Sequence, residues 1–155
     1  MLFFDRQTDS LWSQLLSEAV TGPLAGARLA VLPAENTNWG AWKAAHPESQ
    51  VLSFVTGYVR DYKQDPYAGY LFPRNPALLV AAGGVTRIYP FSELKKGHSP
   101  VVDQLGGHSV TIVFDRRSKA ATVSDGDPAV IWFVSFLDDL KAFYRGAEIY
   151  RARRR

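Results

Sequence analysis

The sequence predicts a single domain of the α+β class, mostly β, with about ten short strands in two related halves and two or three short helices. Three observations predict it. Short apolar runs recur along the chain, bounded by Gly, Pro, Asn and Asp, as in a β meander. A strand-turn-strand stretch, Phe4-Asp5-Arg6-Gln7-Thr8-Asp9-Ser10-Leu11-Trp12, returns in worn form at Phe114-Asp115-Arg116-Arg117-Ser118-Lys119-Ala120-Ala121. Helical spacing of apolar residues is confined to a few places. At 155 residues the chain is about one domain, able to bury roughly two-thirds of its unfolded surface.

Strands are expected at Leu2 to Phe4, Leu11 to Leu16 and Glu18 to Val20, then, after the Gly22-Pro23-Leu24-Ala25-Gly26 turn, at Ala27 to Leu32. Asn36-Thr37-Asn38 supplies capping residues for a helix whose Trp39 and Trp42, three apart, share a face, and Pro47 ends it. Val51 to Val55 returns as strand. Gly57 to Pro76 is a long polar stretch rich in Tyr and Pro, either a ligand-facing loop or a crossover whose tyrosines pack on the core. Gly83-Gly84 and Gly106-Gly107 lie between apolar runs and predict two-residue hairpins. Pro90 to Gly97 reads as one helical turn closed by a glycine at positive φ. Phe136, Leu137, Leu140, Phe143 and Tyr144 form a helical stripe, with Ser135 as its cap, and Ala147 to Tyr150 follows as strand.

The ending repeats as well. Ala41 to Leu52 aligns without gaps on Asp139 to Tyr150 at an offset of 98, against 110 for the opening hairpins. The expected organisation is one domain over 1–150, holding related halves at roughly 2–55 and 112–151 around a shared core, and a basic tail at 151–155.

Composition excludes several chemistries. There is no Cys, so disulfides, thiol nucleophiles and thiolate metal sites are ruled out. The longest apolar runs, such as Ala129 to Val134, fall short of the ~20 residues of a spanning helix. No secretion signal is visible, so the cytoplasm is the expected location. The net charge of +3 includes Arg151, Arg153, Arg154 and Arg155; without them the body carries −1. Such a tail reads as a solvated terminus, and a nucleic-acid partner is not expected. Phosphate loops, dinucleotide fingerprints and nucleophile elbows are missing.

Candidate functional residues remain, each with a plainer alternative. His98 and Asp103 form a possible acid/base pair. His46, His98 and His108 could form a metal site with Asp103, but their spacing carries no metal signature, so no metal is assigned and the cofactor is left open. Asp5-Arg6 and Asp115-Arg116 are anion-binding pairs or turn formers. Trp12 with Tyr62, Tyr67 and Tyr70, and Trp39 with Trp42, offer stacking faces for a ligand or simply belong to the core.

Asp5-Arg6-Gln7-Thr8, Ser10-Leu11-Trp12, Glu18-Ala19-Val20-Thr21-Gly22-Pro23-Leu24-Ala25-Gly26, Asp65-Pro66-Tyr67-Ala68-Gly69-Tyr70 and Arg87-Ile88-Tyr89-Pro90 together resemble the prokaryotic domain of unknown function family 3179, over the chain up to about Tyr150. The resemblance brings no activity with it. Members carry a Tyr-Cys-Pro-Leu-Cys-Gly-Thr-Ala segment before the second Phe-Asp-Arg. Here Gly106 to Val113 runs straight into Phe114-Asp115-Arg116, so no thiol role transfers. Their His-Glu-x-Val-Asn-Asp block corresponds to His98-Ser99-Pro100-Val101-Val102-Asp103, keeping His98, Val101 and Asp103. The resemblance further implies a shortened member that starts inside a longer domain.

Three functions are carried forward. The first is a non-catalytic domain binding a small ligand or a partner between the halves through Arg6, Trp12, Tyr62, Tyr67 and Tyr70. The second is a hydrolase- or lyase-type enzyme using His98 and Asp103. The third is an interaction module, a homodimer joined through a sheet edge.

Overall fold

The computed structural model describes residues 2–32, 34, 37–52, 75–124 and 127–152. The described residues are mostly strand and form one domain: ten strands in three sheets, with three short helices. β1 (Leu2–Asp5) and β2 (Ser10–Ser13) pair antiparallel with Asp5 opposite Ser10, and β3 (Glu18–Thr21) joins the far edge of β2. Asp5 organises the turn between them. Its Oδ1 accepts from the Gln7 amide at 2.9 Å, its Oδ2 from the Thr8 hydroxyl at 2.7 Å, and Asp9 takes the left-handed φ of 49°.

β2 stops at Ser13 instead of reaching Leu16, because the Ser13 hydroxyl accepts from the Leu16 amide at 3.3 Å and Ser17 turns the chain at φ 51°. The strand expected over Ala27 to Leu32 is reduced to one bridge between Arg28 and Glu18. α1 (Trp39–Ala45) begins where predicted, with the Asn38 side chain accepting from the Ala41 amide at 2.9 Å. Val51 and Leu52 carry no strand, and 53–55 lie outside the described residues, as does the Tyr-rich stretch up to 74.

The second part of the chain builds the centre. β4 (Pro76–Ala82) and β5 (Val85–Pro90) form a hairpin, α2 (Phe91–Leu94) follows, and β6 (Val101–Leu105), β7 (His108–Asp115) and β8 (Ala120–Val123) make an antiparallel sheet. β9 (Ile131–Phe136) pairs antiparallel with β4, α3 (Leu137–Phe143) packs back, and β10 (Glu148–Ile149) joins β5 in parallel, giving the order β10-β5-β4-β9.

That four-stranded sheet is covered on both faces, which is why β4 reads as an unbroken apolar run. Leu78, Val80, Ala82, Tyr89 and Trp132 face β6–β8 and α2, meeting Leu105, Val110, Ile112, Phe114 and Leu94. Ala77, Leu79 and Ile88 face Leu140 of α3. Both two-residue hairpins form, with positive φ at Gly83, Gly84, Gly106 and Gly107, as a type I′ turn demands. The turns touch: a Cβ on Gly83 would lie 2.0 Å from the Gly106 carbonyl oxygen.

Two local expectations are corrected. Gly97 does not take a positive φ; α2 closes instead with the Lys96 and Gly97 amides donating to the Glu93 carbonyl. Ser135 does not cap α3, since it pairs opposite Ala77 inside β9, and the Leu137 amide donates to the Asn75 carbonyl at 2.8 Å.

The two hairpins share their turn in detail. Asp115 accepts from the Arg117 amide at 2.8 Å and the Ser118 hydroxyl at 2.7 Å, and Lys119 takes φ 55°. α1 and α3 end alike, the His46 amide reaching the Trp42 carbonyl and the Tyr144 amide the Leu140 carbonyl, each at 2.8 Å. Their burial differs. Phe114 is 7% exposed and Leu140 is fully buried, whereas Phe4 is 58% and Trp42 37% exposed. Among the described residues around the first hairpin, Leu15 reaches a core cluster, where its carbonyl accepts from the Tyr144 hydroxyl. No helix among the described residues is long and apolar enough to cross a membrane.

Candidate functional site

Alternation along β5 puts Arg87 and Tyr89 on one face and Ile88 on the other. Tyr89 and Ile88 accordingly enter opposite core clusters. Val101, Asp103 and Leu105 are the less exposed positions of β6, so one acid lies among apolar neighbours on the face that meets β5. Asp103 Oδ2 accepts from Arg87 Nη1 at 2.6 Å and from the Tyr89 hydroxyl at 2.7 Å, and its Oδ1 accepts from the Gln104 amide at 2.8 Å. On the other side the parallel register sets Glu148 opposite Arg87. Glu148 Oε2 accepts from Arg87 Nε at 2.9 Å and also from Nη2.

This network fixes charge as well as position. Burial alone would push the Asp103 carboxyl up; the hydrogen bonds from Arg87, Tyr89 and Gln104 more than offset it, and the group sits below the usual carboxylate range. Burial, then the bond to Asp103, raises the Tyr89 phenol far above its ordinary value, so it remains a donor. The bonds to Asp103 and Glu148 raise Arg87 further still.

A cleft of about 510 Å³ opens beside the network, with Arg87 and Asp103 among its lining residues. His98, Pro100, Val101 and Val102 form one wall, Tyr150 and Arg151 another. The second wall is anchored. The Tyr150 amide donates to the Ile88 carbonyl at 2.8 Å, its ring lies 5.2 Å from that of Tyr89, and the Ala152 amide donates to Glu93 Oε2 at 3.1 Å, which holds Arg151 at the rim.

The arrangement is suited to binding. Three donors already engage the Asp103 carboxylate, which makes it a weak proton acceptor and a strong anchor for Arg87. Three of the five guanidinium N–H groups are committed, which leaves two.

The structure brings His98 and Asp103 into one cleft. It does not bring Arg6 or Trp12 there: Arg6 is exposed in the β1–β2 turn, and Trp12 sits half-buried on β2 between Phe3 and Ala19. Tyr62, Tyr67 and Tyr70 lie outside the described residues. Trp39 and Trp42 line a separate hollow of about 600 Å³ with Phe133 and Val134. His46 stacks on Trp42 at 3.9 Å, and His108 Nδ1 lies 2.9 Å from Asp127 Oδ2, so the three histidines serve three places. Among the described residues no group of three or more metal-ligating side chains converges.

Sequence reading did not single out Arg87, Glu148, Tyr150 or Arg151 as site residues. The available signal was Arg87 itself, a charge two positions from Tyr89 in an otherwise apolar strand and so on its face.

A family described as "Protein of unknown function (DUF3179)" matches residues 1–81, just over half of the chain. The matched stretch holds β1 to β3 and all of β4 but its last residue, with Arg6 and Trp12, and ends before the cleft residues on β5, β6 and β10. No curated protein and no solved structure matches the chain.

Proposed function

The chain belongs to the DUF3179 family of proteins of unknown function, and on the geometry of the cleft we propose that it is a non-catalytic small-ligand-binding domain. The observation that carries this reading is Arg87, clamped between Asp103 and Glu148 at a concave surface with two donors left over. A guanidinium held on two sides loses little freedom when it binds, so its remaining donors favour a ligand bearing a carboxylate or paired hydroxyls. Tyr150 offers such a ligand a ring face, and Val101 and Val102 an apolar wall.

Thermal-shift and calorimetric titration with a panel of sugars and small carboxylates tests it. At least one member raises Tm in proportion to its occupancy, and Arg151→Ala weakens it without lowering the Tm of the free protein. No shift from any member would remove the reading.

The enzyme alternative rests on His98 and Asp103 sharing the cleft. It assigns proton transfer to His98 and orientation to Asp103, because the carboxylate is held ionised. Its mark is hydrolase or lyase turnover that His98→Gln abolishes and Arg6→Gln leaves intact. Assembly through a sheet edge rests on β1, an edge strand in the described sheet that exposes Leu2, Phe3 and Phe4. A monomer by sizing chromatography across concentrations would end it.

A further inference from the structure

A further concavity, of about 260 Å³, lies between α2 and the β7–β8 turn, apart from the Arg87 cleft and the Trp39 hollow. Phe91 and Phe114 line it, their rings edge to face at 5.3 Å, and Lys95, Arg116 and Lys119 stand around it. Among the described residues no carboxylate lines it. The two nearest in sequence are spent elsewhere: Asp115 accepts from Arg117 and Ser118 within its own turn, and Glu93 from Lys96 and Ala152. No acidic side chain among the described residues pairs with Lys95, Arg116 or Lys119. Among the described residues Arg116 reaches the Gly97 carbonyl, at 3.1 Å.

A second observation singles out Lys119. It holds a left-handed φ of 55°, which disfavours a long side chain by about 1–2 kcal/mol. The matching position of the first hairpin is Asp9, at φ 49°, a residue type that tolerates this backbone better. The same turn thus carries opposite charge at its strained position, and the cation occurs where the turn borders the hollow.

We propose that this concavity binds a small amphipathic carboxylate, with an aromatic or alkyl body against Phe91 and Phe114 and its anionic head among Lys95, Arg116 and Lys119. Three cations without a carboxylate partner among the described residues, around an apolar lining, favour that combination over a bare anion, which leaves the rings uncovered, and over a neutral apolar molecule, which leaves the cations without a counter-charge. The hollow is small, so the fitting ligand is of the size of a bicyclic acid.

The test titrates the full chain with 2-naphthoate, following heat and the backbone amide shifts of residues 91–95 and 114–119. A ligand of this size that fits is expected to bind with a Kd of about 1 mM or tighter. 2-Naphthalenemethanol and inorganic phosphate are each expected to bind at least about tenfold more weakly, one lacking the charge and the other the apolar body. Lys119→Gly removes a cation and relieves the backbone at once, so it weakens naphthoate about threefold or more while leaving Tm equal or higher. Arg116→Gln weakens it likewise. Absence of saturation at about ten times that Kd would overturn the proposal. So would equal binding of the alcohol or of phosphate, shifts confined to other residues, or unchanged affinity in both variants.

Discussion

The Tyr89 hydroxyl donates to the Asp103 carboxylate at 2.7 Å from a side chain with no exposed surface. It ties the central sheet to β6 from inside the larger cluster, where a hydrogen bond to a charged acceptor contributes about 1.5–3 kcal/mol. Tyr89→Phe keeps the ring and deletes the bond. We expect a stability loss of about 2 kcal/mol by urea denaturation, with an unchanged denaturant slope. A neutral effect would mean that Arg87 and Gln104 alone suffice for Asp103.

Acid should weaken the fold in a defined window. Asp103, Glu93, Asp5, Asp115 and Asp127 all sit below their ordinary values of 3.8 for Asp and 4.5 for Glu. A carboxylate whose folded pKa is depressed stabilises the native state above its unfolded pKa, and that contribution is lost as pH falls through the folded value. Tm should therefore hold from neutral pH to about 5 and decline steadily below about 4. Asp103→Asn should flatten part of that decline. A Tm that stays level or rises down to pH 3 would contradict the network.

The two sites differ in how far the sequence shows them. Asp5 and Asp115 reach donors two and three positions ahead, and Asn38 caps an amide three ahead, so the chemistry of those turns lies within one window of residues. Arg87 finds Asp103 sixteen positions away and Glu148 sixty-one away, through a parallel pairing of β10 with β5 that has no local signature. The likeness of the hairpins was visible for the same local reason. Their unequal burial was not, because it depends on which sheet each one meets.

Two glycines of one turn should respond very differently to alanine. At Gly83 a Cβ would fall 2.0 Å from the Gly106 carbonyl oxygen, while at Gly84 it would meet nothing within 4 Å. Both take positive φ, so both substitutions carry the backbone cost of about 1–2 kcal/mol. Gly83→Ala must in addition push the two hairpin turns apart. The expected order is a loss of about 1 kcal/mol for Gly84→Ala and at least twice that for Gly83→Ala, read from chemical denaturation. Equal losses would show that the turns do not touch in solution.

Phe4 and Phe114 occupy the same place before the same turn, yet one is 58% and the other 7% exposed. Truncation of a buried Phe removes its transfer free energy and leaves a cavity, so Phe114→Ala should cost about 3 kcal/mol or more. Phe4→Ala, at a surface position, should stay within about 0.5 kcal/mol. The comparison also bears on assembly through β1. A strand edge covered by a second copy buries Phe4 in solution, and its truncation then costs more as protein concentration rises, because association contributes to apparent stability by mass action. Denaturation of Phe4→Ala and wild type at two concentrations a hundredfold apart decides the matter. A small, concentration-independent difference marks a free β1 edge, and a gap that widens at the higher concentration marks the dimer.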